Sequence, residues 1–255
     1  MIDALDHVVI LIDDLDRSTT DYTALGFTVT PGGEHTGGAT HNALIVFSDD
    51  SYLELIAFKR PAPSHRWWRH VHSGEGLIDF AVRSETITED LERARARGAS
   101  FEGPEAGGRQ RPDGQWIRWQ LAHPSTGDLP FVIEDVTPRS LRIPMGAARS
   151  HANGALGIAG LTVVVEDLDA SIGRYRALLE RGSDALPTPG AAAAVFEVGG
   201  AMVTLAGPGF GASAFAARLA ARGEGPRILS LRMAKRAGAV MFDLARAHGV
   251  PIFPM

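Results

Sequence analysis

Two segments in the first sixty residues carry the clearest pattern of apolar and polar positions. The first is Leu5-Asp6-His7-Val8-Val9-Ile10-Leu11-Ile12 and the second Ser51-Tyr52-Leu53-Glu54-Leu55-Ile56-Ala57-Phe58. Each is an apolar run interrupted by a polar residue able to bind a metal, His7 in one and Glu54 in the other. Strand side chains alternate between faces, so His7 is placed with Leu5, Val9 and Leu11, and Glu54 with Tyr52 and Ile56. A buried imidazole or carboxylate is costly unless something compensates it, and a divalent cation is one such partner.

The opening pattern recurs. His7 to Phe27 reads as a strand, an acidic helix start and a helix, and Leu161 to Leu179 repeats it with an aromatic and a leucine at matching positions. Fainter copies start at Ile78-Asp79-Phe80-Ala81-Val82 and at Ile228-Leu229-Ser230-Leu231. Four such openings imply an internal repeat of roughly sixty to eighty residues. The spacing predicts strands over 4–12, 42–47, 52–58, 77–83, 99–103, 115–122 and 129–136, with helices over 15–25 and 87–97. Thr30 to Gly33 reads as a turn, 35–40 as a glycine-containing loop and 59–75 as a connector in which His65–His72 is an exposed helix with its tryptophans inward. Near the end, a strand over 228–233, a helix over 237–247 and a short last strand are expected.

A βαβββ unit that begins with a strand-borne His and ends with a strand-borne Glu resembles the vicinal oxygen chelate superfamily, which includes glyoxalase I and extradiol dioxygenases. Leu5-Asp6-His7-Val8-Val9, Gly32-Gly33, Thr40-His41-Asn42-Ala43-Leu44, Tyr52-Leu53-Glu54-Leu55-Ile56, Arg111-Pro112-Asp113-Gly114 and Leu129 to Asp135 are similar to its glyoxalase-like domain branch. The likeness is good over residues 3–140 and weaker over 155–208. It implies an α+β fold of tandem βαβββ modules, paired into curved mixed sheets that enclose a cleft. Pairing covers the open edges and faces that one module leaves. Residues 1–140 are expected to form the site-bearing pair, 141–157 a linker, and 158–255 a degenerate second pair truncated at its C-terminal end.

Matching the repeats places Asp79 where His7 stands in the first module, and either Ile133 or Glu134 where Glu54 stands. One residue of register reverses the facing direction, so that choice stays open. The third module offers Gly160 and about Thr204, neither a useful ligand, so any site is expected within residues 1–136. The resemblance implies His7, Glu54 and Asp79 as metal ligands and Glu54, Asp79 and Glu134 as proton-transfer groups. His41, Trp116 and Arg118 are candidates for substrate contact, with Trp116, Arg118 and Gln120 sharing a strand face.

One His with carboxylates and no thiolate suits Mn²⁺, Fe²⁺, Ni²⁺, Zn²⁺ or Mg²⁺ acting as a Lewis acid on an enolate. Asp79 in place of a second histidine departs from the superfamily pattern, disfavours a dioxygenase and leaves a metal-free site open. Three readings follow: a metal-dependent lyase or isomerase acting on a small oxygenated molecule, an antibiotic-like small-molecule binding or sequestering protein without turnover, and a metal-independent acid–base enzyme.

Composition narrows the setting. At 255 residues and 45% hydrophobic, the chain can bury a large core. A net charge of −5 with both signs interspersed gives no reason to expect nucleic acid. Having no cysteine, it has no disulfides and no thiolate sites. Without a leader-like start or a long apolar run, a cytoplasmic protein with no membrane partner is expected. A homodimer is compatible with this composition, and the Ala, Gly and Arg content suggests a bacterial source.

Overall fold

A computed structural model describes residues 2, 4–179, 186–187, 192–210, 212–235 and 240–255. The first module runs β1 (Ala4–Leu11), α1 (Leu15–Ala24), β2 (Thr30–His35), β3 (Thr40–Val46) and β4 (Tyr52–Phe58). The second runs β5 (Gly76–Arg83), α2 (Ile87–Ala96), β6 (Phe101–Gln110), β7 (Trp116–Pro124) and β8 (Phe131–Asp135). Their eight strands close into a barrel in the order β1-β4-β3-β2-β6-β7-β8-β5. Each module contributes one four-stranded half. The halves meet along β1–β5 and along β2–β6, where Glu34 faces Gln110 and His35 faces Arg109.

The segment read as a turn and loop is therefore partly strand β2. Its pairing with β6 also extends β6 well beyond the 99–103 expected. Tertiary pairing supplies what its Thr-Pro-Gly-Gly start lacks in intrinsic strand preference.

The remaining chain forms α3 (Arg139–Arg142), β9 (Ala155–Val164), α4 (Leu168–Leu178), β10 (Leu186–Pro187), β11 (Ala193–Val198), β12 (Ala201–Ala206), α5 (Ala212–Arg222), β13 (Gly225–Met233) and β14 (Ile252–Pro254). Its sheet has the order β10-β11-β12-β9-β13-β14. β9 to β12 repeat the first module. β13 lies antiparallel to β9 and parallel to β14, as β5 lies to β1 and β8. α5 was not anticipated. The helix expected over 237–247 is absent from its described part, 240–247, which turns from Leu244 onward; residues 236–239 lie outside the described residues.

One continuous core joins the two halves, running from Val8, Ile10 and Phe80 on the outer face of the barrel to Leu161, Phe196 and Leu229. The repeated helix tyrosines tie them reciprocally. Tyr22 of α1 donates to the Ala247 carbonyl (3.1 Å), and Tyr175 of α4 to that of Asp128 (2.9 Å). Asp14 caps α1 by accepting from the backbone N–H groups of Asp16 and Arg17. In the connector the only helical stretch is a 3-10 turn over Trp68–Ser73.

β1 departs from simple alternation in a way that builds the site. Leu5 pairs with Val82 and His7 with Ala81, so Asp6 is the extra residue of a bulge. The bulge moves Leu5 to the outer face with Val8 and Ile10, away from the Val9 and Leu11 of the barrel interior. The expectation that Leu5 shares the His7 face is thereby corrected.

Candidate functional site

The barrel encloses a cavity of about 770 Å³, within the range that accommodates metabolite-sized ligands. His7, Glu54, Asn42 and His35 line one wall. The β1 bulge sets Asp6 beside His7, whose Nδ1 lies 2.7 Å from Asp6 Oδ1. Arg142 donates Nη1 to Asp6 Oδ1 (2.9 Å) and Nη2 to Oδ2 (3.1 Å), and Arg139 adds a 2.6 Å bond. Burial alone would raise the Asp6 carboxyl, but the charges of Arg142 and Arg139 and the His7 hydrogen bond hold it well below its usual range. Asp6 is thus an ionised acceptor, which fixes the His7 proton on Nδ1 and turns Nε2 toward Glu54 at 3.6 Å. Tyr52 stacks on the imidazole at 4.5 Å between centroids and Phe131 meets its edge at 5.3 Å.

Glu54 sits inside a ring of donors. Asn42 Nδ2 donates to Oε1 at 2.6 Å, and His35 Nε2 lies 3.4 Å from the same oxygen. Asn42 reaches inward because Gly32 is the bulged residue of β2: a Cβ there would fall 1.9 Å from Asn42 Oδ1. Burial pushes the Glu54 carboxyl up, but hydrogen bonding and charge from His35, then His7 and Asn42, outweigh it and bring it down to about 2. A depressed carboxylate stabilises the fold above its ordinary pKa of 4.5, and the gain disappears as pH falls through about 2. We expect carboxyl ¹³C shifts to show Glu54 still ionised at pH values where exposed glutamates are half protonated. Midpoint titration with those glutamates would remove the donor ring from the account.

The other anticipated residues are placed less centrally. Asp79 is on the inner face, but its carboxylate accepts from Trp67 Nε1 (2.8 Å) and the Phe80 N–H (2.9 Å) and lies 3.3 Å from Arg66. Burial raises its pKa and these partners offset only part of that rise. Glu134 points out of the cavity and caps α2 through the Ile87 N–H at 2.9 Å. Pairing settles the register left open: Val9 is opposite Glu54 and Ala81 opposite Phe131, so Phe131, rather than Ile133 or Glu134, is the counterpart of Glu54.

His41 and the Trp116/Arg118 pair lie on the faces turned away from the cavity, which is lined instead by Asn42 and by Trp119 and Leu121. In β7 the inner set is Ile117, Trp119 and Leu121, because an apolar face fills the barrel. Gly107 gives Trp119 its room, since a Cβ there would lie 2.3 Å from the indole nitrogen. Asp6, His35, Arg109 and Arg142 are site residues that the sequence reading did not select. The acid-plus-imidazole pair Asp6-His7 was visible; the bulge that makes it useful was not.

The implied ligands His7, Glu54 and Asp79 do not fit one divalent metal, because Asp79 is engaged by Trp67 and Arg66 and does not line the cavity. Among the described residues no three His, Asp or Glu side chains are arranged to hold an ion. The repeat-related positions carry His7, Glu54, an Asp79 engaged by Trp67 and Arg66, and a phenyl ring. We expect protein purified without a histidine tag to hold only substoichiometric metal after exposure to Mn²⁺, Fe²⁺, Ni²⁺ or Zn²⁺, by elemental analysis. A stoichiometric metal lost in Glu54→Gln would reverse this conclusion.

Paired βαβββ modules closed round a cavity, with a strand-borne His and Glu on one wall, define a vicinal oxygen chelate fold. The chain belongs to the glyoxalase-like domain family, whose pattern matches residues 5–179. No curated protein matches its sequence. A hypothetical protein from Staphylococcus aureus superposes with a TM-score of 0.73 at 13% identity, covering 99% of this chain and 98% of that one. A mutant 4-hydroxymandelate synthase from Streptomyces coelicolor gives 0.59 at 16% identity, covering 92% and 72%. A fusion of a xylose isomerase-like TIM barrel with a 4-hydroxyphenylpyruvate dioxygenase gives 0.56 at 16%, covering 92% and 37%. At these identities the likeness is one of fold. No helix among the described residues is long and apolar enough to cross a membrane.

Proposed function

We propose that the chain is a metal-independent acid–base enzyme of the isomerase or lyase type, acting on a small oxygenated molecule within the barrel. The observation that carries this reading is the line Arg142–Asp6–His7 on the cavity wall. A buried, ionised carboxylate holds an imidazole by Nδ1, and its Nε2 lies on the cavity wall 3.6 Å from Glu54. That is the arrangement a general base requires. His7 Nε2 takes a proton from a carbon next to a carbonyl, and the C–H electron pair becomes the enolate. The imidazolium so formed lies between Asp6 and Glu54, whose charges stabilise it. Arg109, buried on the same wall with its donors on the Gly32 and Arg142 carbonyls, supplies positive charge toward the enolate oxygen. Where the deprotonated carbon carries a hydroxyl, return of the proton to the former carbonyl carbon, with transfer of the hydroxyl proton to the enolate oxygen, completes an isomerisation; departure of a β substituent that takes the proton from the His7 imidazolium completes an elimination.

In this reading residues 1–140 carry the reaction, the segment 141–157 contributes Arg142, and 158–255 is the degenerate second pair. The test needs no known substrate. A panel of hydroxy acids, keto acids and diketones is incubated in D₂O with the protein and followed by proton NMR. Catalysed exchange at one carbon of one class supports the reading. Binding of panel members with no exchange in any would replace it with a binding or sequestering protein.

A further inference from the structure

The junction between the barrel and the second sheet gathers Arg218, Arg222 and Arg227 beside Arg69, and the nearest carboxylate acting on this group is Asp79, which pairs with Arg66 and also feels Arg69. Arg218 of α5 is buried; its Nε and Nη1 donate to the carbonyls of Pro226 (3.2 Å) and Gly223 (2.7 Å), while Nη2 is buried without a partner. Arg222, one turn on, donates Nη2 to the carbonyls of Ser73 and Glu75, and its Nη1 is likewise buried and unpartnered. Arg69 and Arg227 complete the group. Burial, then Arg222, Arg227 and Arg69, lower the Arg218 pKa to about 10. His70 beside them is pushed down to about 3 by burial and by Arg69, Arg222, Arg218 and Arg66. Like charges held together in a partly desolvated place, with N–H groups lacking acceptors, are unfavourable unless an anion joins them.

Of this cluster Arg69 reaches the cavity. Arg66 and Arg69 of the connector line it, as do His123, Thr126 and Gly127 of the facing wall. Arg66 Nη1, His123 Nδ1 and Thr126 Oγ1 are buried there without partners. Arg66 and His123 flank the same Phe131 ring, at 6.0 and 5.6 Å, whose other edge meets His7. Behind Gly127, the missing side chain of Gly225 lets Arg218 pack close: a Cβ there would lie 2.8 Å from Arg218 Nη2 and 3.4 Å from the Gly127 carbonyl oxygen.

We propose that this end of the cavity is an anion anchor that holds the phosphoryl group of a phosphorylated small-molecule substrate, with Arg66, Arg69 and Thr126 donating to it and Arg218, packed behind Gly225, adding positive charge. Donors from several directions, with an arginine excess over the Asp79 and Glu105 carboxylates that pair with Arg66 and His123, suit three oxygens carrying between one and two negative charges better than a planar monoanionic carboxylate. The proposal rests on the cavity being the substrate site. It gives the second half of the chain a part in binding, where the sequence reading had kept the site within residues 1–136.

The test is calorimetric titration of the full chain with inorganic phosphate, phenyl phosphate and benzoate at matched ionic strength. Both phosphates are expected to bind one per chain and to raise the melting temperature, phenyl phosphate more tightly because its ring enters the barrel, and benzoate about tenfold more weakly. Arg218→Gln should weaken phosphate binding about tenfold or more. Because Arg218 also holds two carbonyls, Arg69→Gln and Arg227→Gln, which leave those bonds in place, should weaken it in the same direction. No phosphate effect beyond that of chloride, or unchanged affinity in Arg69→Gln, overturns the anchor. Equal affinity for the two phosphates overturns its connection to the substrate cavity. Failure of C–H exchange with phosphate binding intact would count against the acid–base reading alone.

Discussion

His7→Gln is expected to lower catalysed C–H exchange by about 10²- to 10⁴-fold, the usual contribution of a positioned acid or base, while ligand affinity in the cavity changes little. Glutamine keeps a polar group beside Asp6 and Tyr52 but has no atom that can take and return the proton. The circular dichroism spectrum and melting curve should remain close to those of the parent. Asp6→Asn complements it. An amide offers the imidazole a donor as well as an acceptor, so the proton is no longer held on Nδ1, and exchange should fall although His7 is present. Full exchange in His7→Gln would move the base to another wall of the cavity. Equal loss of ligand binding and exchange would make His7 a binding group.

The second large effect is on stability. Arg142→Met should destabilise the chain by about 3–5 kcal/mol, the cost of leaving a buried charge unpaired. Asp6 is fully buried, and Arg142 also bonds Asp135 and donates to the Tyr52 hydroxyl at 2.8 Å. Its loss leaves a carboxylate with only Arg139 and the His7 imidazole. Because the Asp6 pKa is depressed in the fold, the stabilisation is complete above the ordinary carboxylate pKa and fades only as pH falls through the lower folded value. Parent and variant should therefore differ most at neutral pH and converge in strong acid. Chemical denaturation across that range measures both points, and an unchanged midpoint at neutral pH would show that Arg139 alone satisfies Asp6.

Much of this arrangement is legible in the chain itself. The apolar runs with His7 and Glu54, and the repeated strand-to-helix openings, specify βαβββ modules because their periods leave one face to bury. The equivalences drawn for the third module hold. His7 faces Tyr52 as Gly160 faces Met202, which places Thr204 where Glu54 stands in the first module. Where one residue of register or one bulge decides the outcome, periodicity is silent. It left Ile133 and Glu134 open where the pairing puts Phe131, and could not tell that Ile117 and Trp119 rather than Trp116 and Arg118 turn inward, because both faces of β7 carry an aromatic.

The sequence by itself determined the modules, their order and the two strand residues around which the site is built, since local patterns of burial encode those. The tertiary structure alone decided the partners: Asp6 turned beside His7 by a bulge, Arg142 brought from beyond the barrel, His35 placed by the β2–β6 closure, and Asp79 tied to Trp67 and Arg66. Each of these depends on contacts between residues distant in the chain, whose geometry no local pattern records.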